Sequence, residues 1–198
     1  MHAKGALVRR SIPLFAAAAC LYAAFAAPAQ AQSTANAEIC AAGDAGAFSP
    51  EQRIAACTAL IEAAKDRPQD QAAALVNRGT AYWYANKMHR AFADFDRAIA
   101  LDPNNARAFR ERSNANRSSG RLDRALSDAN AAVRLDPNDP KAFDVRGNVF
   151  NNNRQFDRAI EDYNEALRLD PNFAQAFMDR GVAYYFKQDY QAAIKDYD

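Results

Sequence analysis

The tetrapeptide Leu101-Asp102-Pro103-Asn104 returns as Leu135-Asp136-Pro137-Asn138 and again as Leu169-Asp170-Pro171-Asn172, at equal intervals. A fixed period of about 34 residues marks a supersecondary unit that is stacked on copies of itself. Proline cannot continue a helix and restricts the residue before it, so each copy reads as a helix end followed by a turn. Between the copies alanine is abundant and glycine scarce, with 7 in the chain, which favours helix. Long Val/Ile/Thr-rich runs of the kind strands need are missing.

The segment 1–31 is different in kind. Lys4, Arg9 and Arg10 form a basic head, Ile12 to Ala27 is uncharged and apolar, and Ala29-Gln30-Ala31 ends in small residues. That order predicts a secretory signal peptide over residues 1–31, cleaved after Ala31, and a periplasmic or secreted protein. The apolar run is shorter than the ~20 residues that span a bilayer, so no membrane span is expected after cleavage. A retained anchor is the alternative reading. Acylation at Cys20 would need a larger aliphatic residue than Ala17-Ala18-Ala19 supplies. Cleavage leaves 22 basic against 24 acidic side chains, a mixed surface that does not call for nucleic acid.

Residues 32–48 are small and polar and read as a loose lead-in. Ser49, Pro50 and Gln52 then make a helix start, and a capping helix is expected over residues 49–68, ending at Arg67-Pro68. Cys40 and Cys57 are the two cysteines left after cleavage, and an even pair in an exported chain predicts a disulfide. Such a bond would tie the lead-in to the first helix, worth roughly 3 kcal/mol.

From Ala72 onward the chain resembles tetratricopeptide repeats, in which each period holds one pair of antiparallel helices. Unit one, residues 72–105, has Gly79, Tyr82, Ala91, Phe95, Ala98 and Pro103 at the signature positions. Unit two, residues 106–139, has Ser113, Asn116, Ala125, Ala129, Ala132 and Pro137 there; unit three, residues 140–173, has Gly147, Phe150, Ala159, Tyr163, Ala166 and Pro171. A partial fourth unit, residues 174–198, carries Gly181, Tyr184, Ala193 and Tyr197. The resemblance implies an all-α fold, an α-solenoid of stacked antiparallel helix pairs with a 34-residue period. Unit two, with Asn116 and Ala129 in place of aromatics, is expected to pack least well. Arg78, Arg112, Arg146 and Arg180 precede Asp94, Asp128, Asp162 and Asp196 by one constant interval, which predicts an ion pair inside every unit. The last unit stops before its Leu-Asp-Pro-Asn, so either the reading frame continues or another chain covers the open end.

Catalytic and metal chemistry lack their motifs. His89 is the one histidine after the signal, too few for a zinc site. Neither a phosphate-binding glycine loop nor a nucleophile elbow is present, so we expect no enzyme, no cofactor and no metal. The resemblance places the binding surface on the first helix of each unit. The inward positions are Ala73, Val76, Thr80 and Trp83; Arg107, Arg110, Asn114 and Arg117; Lys141, Asp144, Asn148 and Asn151; and Gln175, Met178, Val182 and Tyr185. Trp83, Arg107, Arg110, Asn114, Arg117, Lys141, Asn148, Asn151 and Tyr185 are the candidate peptide-binding residues: amides for a peptide backbone, cations for a carboxylate, aromatics for apolar side chains. Cytosolic adaptors of the family grip a terminal carboxylate with Lys and Asn. Arg110 and Asn114 resemble part of that grip, but Val145 and Asp179 stand where an Asn and an Arg would be needed. The expectation is a noncatalytic interaction module of the cell envelope whose partner is a protein or peptide. The alternative is a structural or assembly component of a larger envelope complex.

Overall fold

The computed structural model describes residues 30–42 and 47–198, and every regular element among them is helical. A first helix, α1, covers residues 30–41. It is followed by α2 (Pro50–Ala63), α3 (Pro68–Tyr84), α4 (Met88–Leu101), α5 (Ala106–Ser118), α6 (Leu122–Leu135), α7 (Pro140–Asn152), α8 (Phe156–Leu169), α9 (Ala174–Phe186) and α10 (Tyr190–Tyr197). The expected signal segment lies outside the described residues except for Gln30 and Ala31.

Two expectations about the N-terminal part are corrected. Residues 30–41 are helical rather than loose, because Ile39 and Cys40 are packed against Ala56, Cys57 and Leu60 of α2. A short polar helix gains its stability from such packing more than from propensity. Cys40 and Cys57 are paired across this contact, with Cα atoms 4.8 Å apart. Pro68 does not merely end α2; it is the first residue of α3, where its missing N–H costs nothing. The start of α2 follows the sequence reading: the Ser49 hydroxyl accepts from the Gln52 N–H at 3.2 Å, and the Gln52 side chain accepts from the Ser49 N–H at 2.8 Å.

The Leu-Asp-Pro-Asn segments turn the chain by one device. Asp102, Asp136 and Asp170 each accept, through Oδ1, the backbone N–H two residues on, at 3.1, 3.2 and 3.0 Å. The turn inside each hairpin needs one left-handed residue, and it falls at equivalent positions: Asn86, Gly120, Arg154 and Gln188.

Within units one, three and four the two helices meet glycine to ring. A Cβ added to Gly79, Gly147 or Gly181 would lie 2.6, 2.7 or 2.5 Å from the ring of Phe95, Tyr163 or Tyr197. Phe95 and Tyr163 are fully buried there. Unit two fills the same space with polar groups: the Ser113 hydroxyl donates to the Ala125 carbonyl at 2.8 Å, and the Asn116 amide donates to Asp128 at 3.0 Å.

The expected ion pairs form in all four units. Nε and Nη2 of Arg78 reach Asp94 at 2.7 and 2.8 Å, those of Arg112 reach Asp128 at 3.0 and 2.7 Å, those of Arg146 reach Asp162 at 2.8 and 2.7 Å, and those of Arg180 reach Asp196 at 2.8 and 2.6 Å. Such forked pairs are the strong kind. The remaining nitrogen does a second job. Nη1 of Arg112, Arg146 and Arg180 donates to Asp96, Asn130 and Asn164, each in the preceding unit, and Nη1 of Arg78 donates to Thr58 of α2. Each arginine therefore closes its own hairpin and ties it to the one before, or in unit one to α2.

The first helices α3, α5, α7 and α9 touch one another in sequence, whereas among the described residues no second helix touches another second helix. The array accordingly curves with the first helices on the inside. Among the described residues no helix is long and apolar enough to cross a membrane.

Candidate functional site

The inner surface forms one groove of about 710 Å³. Helical periodicity builds it: Arg107, Arg110, Asn114 and Arg117 are spaced by three and four residues along α5 and so share its inner face. Trp83 of α3 and Lys141 and Asn148 of α7 line it as well, along with Thr80, Asp144 and Gln175 from the other inward positions. Asn151 and Tyr185 do not line it. Tyr185 instead sits edge-on to Phe186 and Tyr190 at the end of the array, with ring centres 5.8 and 5.7 Å away. Val76, also expected inward, is core.

Several lining residues fall outside the candidate set. Arg53 comes from α2, ahead of the repeats, so counting by the repeat period could not find it. Glu111, Val145 and Asp179 occupy the position one residue after the fifth in the first helices of units two, three and four. Phe173 and Ala41 close the rim.

Charge divides the groove. Arg53 of α2 lies near Arg107 and Arg110 of α5 along the groove. Burial pulls the Arg107 guanidinium below its ordinary value, and repulsion from Arg110 and Arg53 adds to this while Glu111 opposes it. Arg110 is neutralised by ion pairs with Asp139 and Glu111. Arg107 bonds the neutral amide oxygen of Asn77 at 2.6 Å. Arg53 is 5% exposed and its Nε has no hydrogen-bond partner.

Farther along, Asn148 holds two carboxylates with one amide. Its Nδ2 donates to Asp144 at 3.3 Å and to Asp179 at 3.0 Å, and its Oδ1 accepts from the Tyr163 hydroxyl at 3.2 Å. That bond fixes which way the amide faces. Gln175 donates to the other oxygen of Asp179 at 3.1 Å. Asp144 is 6% exposed, and its Oδ1 accepts nothing. Burial, with repulsion from Asp179, pushes the Asp144 carboxyl up to about 7, against the attraction of Arg117 and the Asn148 bond. The Arg117 Nε is likewise buried without a partner. Among the described residues no group of three or more His, Cys, Asp or Glu is arranged to hold a metal ion.

Two family models match the chain, one described as TPR repeat over residues 147–188 and one as Tetratricopeptide repeat over residues 76–140. Together they cover more than half of it. The chain belongs to the tetratricopeptide repeat family. Solved members of this fold resemble it over most of their length. MamA from Desulfovibrio magneticus RS-1 is 23% identical, with 75% of this chain and 81% of that one covered at a TM-score of 0.61. PilF of Pseudomonas aeruginosa is 21% identical, with 75% and 66% covered at 0.64. The second repeat domain of human RPAP3, solved in complex with the HSP70 peptide SGPTIEEVD, is 28% identical, with 59% and 97% covered at 0.54. No curated protein matches the chain. Neither family model describes an enzyme family.

Proposed function

We propose that this chain is a noncatalytic interaction module of the cell envelope, periplasmic or secreted, that binds an extended peptide or partner protein in its concave groove. Membership of a family of interaction repeats supports the module. One observation carries the groove: three lining residues, Arg53, Arg117 and Asp144, each bury a polar atom that has no partner among the described residues. Native proteins pair nearly all buried polar atoms, so the gathering of three of the four exceptions in one groove, Asn151 being the fourth, marks a place where a ligand supplies the partners. The RPAP3 domain, bound to a peptide, supports the kind of ligand. The basic head and apolar run of residues 1–31 support export, and the Cys40–Cys57 pair fits a disulfide made in an oxidising compartment.

Asn114 and Lys141 line the groove and make no ion pair, so changing them should spare the fold. Full-length protein carrying Asn114→Ala and Lys141→Glu should keep its melting point but lose its partner in capture from envelope extract. Undiminished capture would sink the groove reading.

A second reading, a part of a larger assembly, has its own support. On α10 the residues Tyr190, Ile194 and Tyr197 form an exposed apolar stripe. The same repeat position is 8% exposed at Ile160, where α9 covers it, and 54% exposed at Ile194. Under this reading Tyr190→Ser with Ile194→Ser abolishes assembly in analytical ultracentrifugation, and the groove change does not.

A further inference from the structure

We propose that the groove selects a segment bearing two opposite charges, its carboxylate side chain seated toward α2 and α5 and its cationic side chain toward α7 and α9. This rests on the groove being the binding surface and adds the chemistry of what it binds. At the first end, the buried Arg53 and the more open Arg107 have no carboxylate partner among the described residues, since the nearby acids Asp139 and Glu111 are engaged by Arg110. A buried charge is costly unless paired, and a ligand carboxylate would pair these two. Forked guanidinium donors suit that anion.

The other end has the opposite need. Asp144 and Asp179 share the single amide of Asn148, and neither has an ion-pair partner among the described residues. The groups acting on Asp144 are Asp179 from α9, Arg117 from α5 and Asn148 on α7 itself, and the Tyr163 hydroxyl of α8 stands behind Asn148. A second ligand carboxylate here would be repelled. An ammonium or guanidinium would pair with Asp144, use its free Oδ1 and relieve its repulsion from Asp179. Because the Asp144 carboxyl stands at about 7, this pairing strengthens as pH rises and Asp144 ionises.

The spacing follows from helix packing. Adjacent inner helices lie ~8–10 Å apart, which puts the cationic cluster on α5 about 12–15 Å from the acids between α7 and α9. An extended chain advances ~3.4 Å per residue, so the two charged side chains should stand about four residues apart, a separation that also puts both on one face.

The test is calorimetric titration of the full chain with four end-blocked nonapeptides of Ala and Ser, charged at two positions four apart: Glu then Lys, Lys then Glu, Glu twice, and Lys twice. Blocked ends remove terminal charges from the comparison. One mixed order should bind at least tenfold more tightly than both like-charged peptides. Asp144→Asn with Asp179→Asn should abolish that preference, Arg107→Gln should weaken the mixed peptide severalfold, and its affinity should rise between pH 6 and pH 8. A like-charged peptide binding as well as the better mixed one, no binding by any of the four, or a preference that survives loss of both aspartates would each overturn the charge assignment. The groove reading fails separately: only partner capture undiminished by Asn114→Ala with Lys141→Glu counts against it.

Discussion

Repeats two and three share a period, a turn and an Arg–Asp clip, yet they fill the space between their helices by different means. Repeat three buries Tyr163 against the bare backbone of Gly147 and backs it with Phe150. Repeat two has Ser113, Ala129 and Asn116 in those places, and its hydroxyl and amide bond to Ala125 and Asp128. The sequence reading expected repeat two to pack least well. Ring and glycine are replaced together there and the polar substitutes are bonded, but a surface cavity of about 310 Å³ lined by Asn116 and Asp128 lies at this unit. A consequence reaches the groove. The Tyr163 hydroxyl orients Asn148, whereas Ala129 has nothing to offer Asn114 at the equivalent place. Buried charge contrasts too. Arg110 of repeat two is neutralised by Asp139 and Glu111, while Asp144, at the same position of repeat three, has no ion-pair partner among the described residues.

The comparison can be broken by moving residues between the two. Tyr163→Ala puts repeat two's residue into repeat three without its polar substitutes and should cost about 3–5 kcal/mol in denaturant unfolding. A loss under ~1 kcal/mol would mean that the ring does not hold the hairpin. The reverse exchange is a cycle. Ala129→Tyr alone meets the Ser113 side chain and should cost about 1–3 kcal/mol, and adding Ser113→Gly should recover most of it. Strictly additive effects would refute the glycine-and-ring account. Asp144→Asn tests the unpaired charge. Its carboxyl is held near 7 by burial and by Asp179, so the folded state binds a proton that the unfolded state releases above about 4. The penalty therefore grows as pH rises from about 4 to 7 and is full above that. Asn should raise the melting point by at least ~2 °C at pH 8 and by almost nothing at pH 4; an equal gain at both would point to packing instead. The smallest effect concerns the turns. Repeat two has Gly120 at the left-handed position and repeat three has Arg154. Arg154→Gly should stabilise by at most ~1 kcal/mol, the steric relief being offset by added freedom in the unfolded chain.

What the sequence disclosed depended on periodicity. The repeat period located the hairpins, the Arg–Asp clips and most of the inner face, because each is a repeated solution to the same packing problem. It could not disclose Arg53, which enters the groove from a helix with no counterpart in the array. Nor could it show that residues 30–41 are helical, since that depends on packing against α2. Tyr185 misled for a related reason: it repeats the position of Trp83, but no further helix stacks beside it among the described residues, so it turns to Phe186 and Tyr190. Asp144 was legible as an inward residue, but its isolation was not, because that depends on which neighbours are already engaged.

The third nitrogen of each repeat arginine has a consequence for how such a chain can change length. In Arg112, Arg146 and Arg180 it reaches back one unit, and what it meets there is at the same place each time: Asp96, Asn130 or Asn164. Excising residues 106–139 would present Arg146 with Asp96 in place of Asn130, and the join would close with no donor stranded. The scaffold thus behaves like a sentence from which a whole clause can be dropped without breaking its grammar. The meaning would not survive, for that clause carries Arg107, Arg110, Asn114 and Arg117. Gain or loss of a unit is a change that the fold permits and the groove does not forgive.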